Sequence, residues 1–338
     1  ATRGMAMSVK ARALLYAASK LHNPSHATDK WEKAAKAAYD IIQTGWYTLP
    51  NIDVDPLYDV NGGNVILNSS QLIFERRNND DNAFESRNLP IGFENGNSGN
   101  TPTQNLVDAY EMADGTPFSW ENTKHASKPY SGRDPRFYKA ILYNEASFMG
   151  TKIETFEGGR NASPITGATL TGYYLRKYMN ETVSLSPTNP IKKPHHFVLF
   201  RYAETLLNYA EAMNELGGPD YTADELPISA RTALNKVRSA ANMPDITDNG
   251  DDFTARLRNE RRVELAFEDH RFWDIRRWMI GDVVKDIYGV KITKKGSKYS
   301  YTPTKIQTRV WNEKMNLYPI AQSEIYKNGN LTQNDGWE

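Results

Sequence analysis

The chain has 338 residues, enough for one large or two ordinary domains around a sizeable core. Lysine plus arginine and aspartate plus glutamate stand at 41 each, so the formal net charge is zero, which argues against a nucleic-acid partner and the basic patch it needs. With no cysteine there is no disulfide framework, thiolate metal site or cysteine nucleophile, and no apolar run approaches the ~18 residues of a membrane helix.

Residues 1–15 read directly as a helical pattern rather than as a signal peptide. The first helix is expected over 4–22, with small residues (Gly4, Ala6, Ala11, Ala13) for close helix contact and Asn23-Pro24 as its stop. A second follows, with Asp29 as N-cap, Glu32 at the capping-box position, Gly45 as the end, and an inner face of Trp31, Ala34, Ala35, Ala38, Tyr39 and Ile42. The short connection makes this a helix hairpin, the unit of tetratricopeptide-like arrays. From 46 to 198 the character changes: strand-like runs appear at 71–76, 138–143 and 172–178 between turn-rich polar segments. The Asn-, Asp- and Gly-dense segment 78–100 has little periodicity, and so long a connection is either functional or disordered. Helical patterns return over 200–216, with Tyr202, Leu206, Tyr209 and Met213 near one face and Gly217-Gly218 ending it, and over 228–242, closed by Met243-Pro244. The two hairpins lie far apart in sequence, so the helical part is discontinuous.

The densest stretch, 258–278, reads RNERRVELAFEDHRFWDIRRW, with six arginines and five acids among large apolar residues. As one helix it would bury Val263, Ala266, Phe267, Phe272, Trp273 and Ile275 and bring together Arg261 with Glu264, Glu268 with Arg271, and Asp274 with Arg277. So many charges beside so many aromatics point to a partly buried helix whose guanidinium forks meet carboxylates and carbonyls of neighbouring segments. Trp273 and Trp278 are both expected in the core. After 278 the pattern is an irregular tail.

NERRVELAFE followed by HRFWDIRRW resembles the C-terminal signature of the SusD/RagB family. Further stretches resemble it in family order: TPTQNLVDAYEMADG at 101–115, GRDPRF at 132–137, TGYYLRKY at 171–178, RYAETLLNYAEAMNE at 201–215, LNKVRSAANMP at 234–244, and YPIAQSEI with LTQNDGW near the end. The resemblance implies a mainly α fold: a tetratricopeptide-like helical hairpin scaffold with an irregular, loop-rich lobe containing a few short strands. On this sequence that is a single domain over 1–338, with scaffold 1–45 and 199–280, ligand lobe 46–198 and tail 281–338. It also implies non-catalytic cell-surface binding of an oligosaccharide or polysaccharide for delivery to a TonB-dependent outer-membrane transporter. The membrane link would be a lipid anchor that this chain does not contain, so the chain looks like the C-terminal majority of a member. Two rivals stay open: peptide binding, as in the RagB branch, and glycoside hydrolysis.

The residues themselves offer no catalytic constellation: there is no G-x-S-x-G, no Walker loop and no dinucleotide fingerprint. Glu264 and Glu268, four apart, are the obvious glycosidase pair, but their arginine neighbours depress carboxyl pKa values and disfavour a general acid. Glu111, Asp114 and Glu145 are the other acids near the loop lobe, and none pairs by spacing. The histidines, including His195-His196 and the His22/His26 pair that straddles Pro24, read as loop or surface residues, and Asn79, Asp80, Asp81 and Asn82 lack calcium-loop spacing. No metal and no cofactor is expected. The chemistry that fits is recognition, with aromatic plates for the apolar face of a sugar ring and amides or guanidinium for its hydroxyl rim. Candidate plates are Phe84, Phe93, Trp120, Tyr130 and Phe148, with Trp120 first because it follows the turn at Asp114-Gly115. Candidate polar partners are Asn82, Arg87, Asn95 and Asn97.

Overall fold

Thr2 starts the first helix: its side-chain oxygen accepts from the Met5 N–H at 3.1 Å. The structure is a computed structural model and describes residues 2–59 and 68–338. Helix α1 (Arg3–Ala18) buries Gly4, Ser8, Ala11, Leu15 and Ala18 along one stripe, and the Tyr47 hydroxyl lies where a Cβ on Gly4 would stand. Asn23 closes the turn, its amide donating to the carbonyls of Ala18 and Ala27 and its oxygen accepting from the Ala27 N–H. Helix α2 (Thr28–Ile42) starts two residues earlier than expected, and Asp29 is a first-turn acid rather than the cap. Trp31, Ala34, Ala35, Ala38 and Ile41 face inward as the periodicity requires.

The middle of the chain is built from small pieces. Strand β1 (Leu72–Asp81) runs into the Asn-rich segment, and the short helices α3 (Ala83–Asn88), α4 (Gln104–Ala109), α5 (Thr123–Ser127) and α6 (Pro135–Ala140) follow. Asp134 caps α6 and Pro135 takes its first turn, so GRDPRF starts a helix, and the expected strand at 138–143 shrinks to β2 (Ile141–Leu142). Then come β3 (Ser147–Phe148), β4 (Thr151–Lys152), β5 (Tyr174–Leu175) and β6 (Lys193–Arg201). β1 pairs antiparallel with β6, with Asn78 opposite His195 and Leu72 opposite Arg201; β2 pairs with β5 and β3 with β4.

β6 feeds directly into α7 (Tyr202–Gly217), whose residues from Tyr202 to Met213 are all buried. A helix buried on every side is the centre of its layer, and its buried acids Glu204 and Glu211 are paired with arginines. Around it pack α1, α2, α8 (Ala230–Ala240) and α9 (Gly250–Glu264). The expected single helix over 258–278 is two: α9 ends at Glu264 and α10 (His270–Arg277) restarts after a turn in which Phe267 and Asp269 have φ of 65° and 61°. The break turns Phe272 and Trp273 outward, at 39% and 44% exposure, so neither joins the core, whereas Trp278 is buried at 4%. The tail is not irregular throughout. β7 (Asp286–Lys295) and β8 (Lys298–Thr308) form a long antiparallel hairpin around Gly296 at φ 60°, before α11 (Gln322–Lys327). The alternation of KITKK-GS-KYSYT carries that signal. The protein is thus mainly helical, with four two-stranded pairs among the described residues, and no described helix is long and apolar enough to cross a membrane.

Candidate functional site

The conspicuous charges at the α9–α10 turn are a structural knot. Arg201 donates to Glu264 Oε1 at 2.5 Å, Glu268 Oε2 at 2.8 Å, Gln71 Oε1 at 3.0 Å and the Glu264 carbonyl at 2.7 Å. Arg136 bonds Asp134, Glu260 and Glu264, and Lys177 reaches Glu268 Oε1 at 2.6 Å. Arg261 pairs with Asp274, and Arg277 with Asp274 and Glu211. Only Asp274–Arg277 of the three expected local pairs forms, because the helix break sends Arg261, Glu264 and Glu268 to partners elsewhere. Burial opposes ionisation of Glu264, but Arg201 and Arg136 outweigh it and hold its carboxyl at about 2. Burial also opposes ionisation of Glu268, but Arg201 and Lys177 outweigh it and lower its carboxyl, and two carboxyls held down in this way do not supply a general acid near neutrality. Glu111 is likewise tied to Arg238 and Arg256, Asp114 to Thr116, and Glu145 to Lys152 and Tyr299.

Several expected plates are packing residues. Tyr130 is buried among Phe137, Tyr143, Tyr173 and Tyr301, and Phe148 is buried edge-to-face with Phe93 at 5.5 Å. Neither offers a free ring face. Trp120 is half-buried: its Nε1–H donates to Asp108 Oδ1 at 3.0 Å, and its ring meets Phe118 edge-on at 5.2 Å. The turn before it folds the ring back onto the core around Val107 and Phe137, so the exposure argued from its polar neighbours does not hold. The amides of the 78–100 segment brace it internally and tie it to residues 184–185. Asn95 donates to the Leu185 carbonyl at 3.0 Å, Asn97 to that of Ser86 at 2.7 Å, and Asn82 to that of Ser184 at 3.4 Å.

Phe84 and Arg87 do converge. They lie on α3, which follows β1 after a turn in which Asp81 Oδ1 accepts from the Ala83 N–H. With Asn78 and Asp81 from β1, His195 and Phe197 from β6, and Tyr178, they line a cavity of about 230 Å3. The Phe84 ring is 5.8 Å from the His195 ring, and the Tyr178 ring 6.2 Å from that of Phe197. His195 Nε2 meets the fully buried Glu85 Oε1 at 2.9 Å, while its Nδ1 is 3.6 Å from Asp81 Oδ1. Burial opposes protonation of His195, but Glu85 and Asp81 outweigh it and raise the imidazole above its usual value. The expectation of loop or surface histidines fails here: His195 and His196 sit on a paired strand with side chains 10% and 2% exposed. Tyr178, a bulky residue at φ 68°, is held in the left-handed region, a conformation kept only where the surroundings impose it. A wider, more open groove of about 860 Å3 lies on the scaffold between Tyr47, Tyr202 and α8. No group of acids and histidines suited to a metal ion occurs among the described residues.

Tyr178 and His195 were missed because they are about a hundred residues from α3 in sequence. The one local trace was the His-His pair leading into the apolar run FVLF, which is consistent with a strand and forms β6.

The fold and motifs have relatives. The SusD family model matches residues 68–337. SusD-like protein P25 of Formosa agariphila is 27% identical over 245 residues, which is 70% of this chain and 38% of that protein. A SusD-like protein of Bacteroides fragilis superposes with a TM-score of 0.79 at 26% identity, over 99% of this chain and 65% of its own. A second B. fragilis structure, described as a SusD-like carbohydrate binding protein, gives a TM-score of 0.74 at 26% identity, over 98% and 65% of the two chains. The chain therefore spans about two fifths of the curated relative and just under two thirds of each solved one. With the family model covering most of its length and the same helical scaffold in both solved relatives, the chain belongs to the SusD family.

Proposed function

We propose that the protein is a non-catalytic glycan-binding component of a cell-surface uptake system, and that the cavity between α3 and the β1–β6 ribbon holds one unit of an oligosaccharide or polysaccharide. The observation that carries this reading is the convergence of Phe84 and Phe197 with Arg87, Asp81 and Asn78 around one opening. Such a set matches a sugar ring, apolar on its face and hydroxylated on its rim. Arg87 has no side-chain hydrogen bond or ion pair among the described residues, so its fork is open to a ligand. The volume, below the ~300–1,000 Å3 of sites for drug-sized molecules, suits a single ring of a longer chain. The family and the carbohydrate-binding B. fragilis relative support the ligand class. Handing the glycan to a TonB-dependent outer-membrane transporter, from a lipid-anchored position on the outer face of that membrane, completes the proposal.

The test is calorimetric titration with soluble glycans and, separately, peptides, on the wild type, Phe84→Ala and Trp120→Ala. Saturable heat with a glycan is expected, weakened at least tenfold by Phe84→Ala, retained in Trp120→Ala, and without release of reducing ends; about tenfold is the usual cost of a central aromatic contact. Heat with peptides alone would move the function to peptide capture. New reducing ends would make the protein a hydrolase.

A further inference from the structure

Glu85 of α3 is fully buried, and in sequence it stands between Phe84 and Arg87, which line the cavity. A buried carboxylate needs a counter-charge as well as hydrogen bonds. Its Oε1 accepts from the Asn180 N–H at 2.9 Å and meets His195 Nε2 at 2.9 Å, while Oε2 has no hydrogen-bond partner. No lysine or arginine pairs with it among the described residues, so His195 is its basic partner. The other ring nitrogen of His195, Nδ1, is 3.6 Å from Asp81 Oδ1. These residues join three elements: Asp81 ends β1, Glu85 is on α3 and His195 is on β6. Among the described residues α3 makes no broad contact with another helix or strand, so one polar junction can decide how firmly it sits.

Resting on the glycan-binding reading above, we propose that Asp81, Glu85 and His195 form a proton-operated latch on the cavity. Protonated His195 fastens α3 to the β1–β6 ribbon and so holds Phe84 and Arg87 in place. Loss of that proton loosens α3 and weakens ligand binding. The protonated ring points a donor at each carboxylate, whereas the neutral ring has one donor and turns a lone pair toward the other acid. Burial opposes the charge, but Glu85, Asp81 and the Lys193 backbone outweigh it and raise the imidazole above its ordinary 6.5. Arg87, Tyr178 and His196 are the other titratable groups at the cavity, and Asp59, Lys139, Arg176 and Lys177 line a neighbouring pocket of about 50 Å3 that His195 also touches. Arg176 is paired with Glu181 and Lys177 with Glu268, so neither replaces His195 at Glu85. With the folded value above the unfolded one, the latch is complete below about 6.5 and is lost as pH rises through the folded midpoint.

The experiment follows the His195 ring and the α3 amides of the full chain by NMR from about pH 5.5 to about pH 9. Calorimetric titrations with neutral gluco-, xylo- and manno-oligosaccharides cover the same range. His195→Gln assigns the ring signal and keeps a neutral donor toward Glu85, and Glu85→Gln removes the buried charge. The wild-type midpoint is expected above 6.5. Through it, hydrogen-exchange protection of the Ser86 and Leu89 amides, which bond the Asn82 and Glu85 carbonyls, and glycan affinity should each fall about three- to tenfold. In Glu85→Gln the His195 midpoint should drop, and both variants should lose the pH dependence of protection. If His195→Gln melts early, the Glu85→Gln profile decides. A midpoint at or below 6.5, protection that stays flat through it, or a pH profile that survives in both variants overturns the latch. Affinity that stays flat while α3 protection changes overturns its role in binding and leaves the glycan reading standing. Silence toward every glycan overturns the glycan reading alone, because α3 protection still tests the latch.

Discussion

Two regions of the molecule concentrate polar side chains, and they treat them in opposite ways. At the α9–α10 turn the carboxylates and guanidiniums are buried and matched: Arg201 alone makes bonds to Glu264, Glu268 and Gln71, and Arg277 is fixed between Asp274 and Glu211. At the α3–β6 cavity the rings are half-buried, and Arg87 has no side-chain hydrogen bond or ion pair among the described residues. A desolvated charge is tolerable only when all its bonds are made, so complete pairing marks a brace. Incomplete pairing beside an opening marks a place where a ligand finishes the bonding. The richest motif in the sequence is thus the frame, and the plain segment after β1 carries the proposed site.

The comparison breaks most sharply if one member of the brace can be removed at little cost. Arg201→Met leaves Glu264 and Glu268 short of their shared partner and is expected to lower unfolding free energy by about 3–5 kcal/mol, read by chemical denaturation at neutral pH. A loss under about 1 kcal/mol would mean that the network is not what joins β6 to the α9–α10 turn.

Acid titration probes the same brace more gently. Glu264 and Glu211 are buried, which alone would raise their pKa values, but Arg201 and Arg136 in one case and Arg277 in the other hold both at about 2. Their folded values lie below the unfolded carboxyl value, so their contribution is complete above about 4.5 and is lost as pH falls toward 2. His270 adds to the same trend. Burial, then Arg261 and Arg12, push its imidazole well below 6.5, so it is neutral when folded and favours the unfolded state as pH drops through that value. The raised His195 works against His270 over the same range, so the decline is expected below about pH 4.5, each glutamate contributing on the order of 1 kcal/mol of loss by pH 4. Equal denaturation midpoints at pH 7 and pH 4 would contradict the assigned pairing.

The scaffold was legible because its signals are local. Periodicity in α1, α2 and α7 and the Asn23-Pro24 and Gly217-Gly218 stops each act within one turn of chain. The break between α9 and α10 was not legible: LAFED has no proline or glycine, and the turn exists because Glu264 and Glu268 are drawn to Arg201 and Lys177 from other parts of the chain. The site was half legible for the same reason. Phe84 and Arg87 share a short helix and could be suspected together, but Tyr178 and His195 reach them only through the β1–β6 register and a backbone conformation that composition does not announce.

The smallest expected effect falls on the residue that sequence placed most firmly in the core. Trp273 and Trp278 are five apart in one motif, yet the turn before α10 rotates the first outward and the second inward. Trp278 is buried, donates from Nε1 to Glu211 Oε1 at 2.7 Å and lies under the guanidiniums of Arg258 and Arg277, so truncating it damages the brace itself. Trp273 touches Phe272 edge-on at 5.0 Å and Tyr318 at 6.4 Å, and keeps 44% of its surface in water. Trp273→Ala removes those contacts without leaving a closed void or an unpaired charge, and should cost about 1 kcal/mol or less in denaturant unfolding, with glycan affinity at the cavity unchanged. A cost comparable to Arg201→Met would show that the outward face of α10 belongs to the brace after all. A loss of glycan binding at full stability would instead show that the binding surface extends beyond the α3–β6 cavity to this exposed aromatic edge.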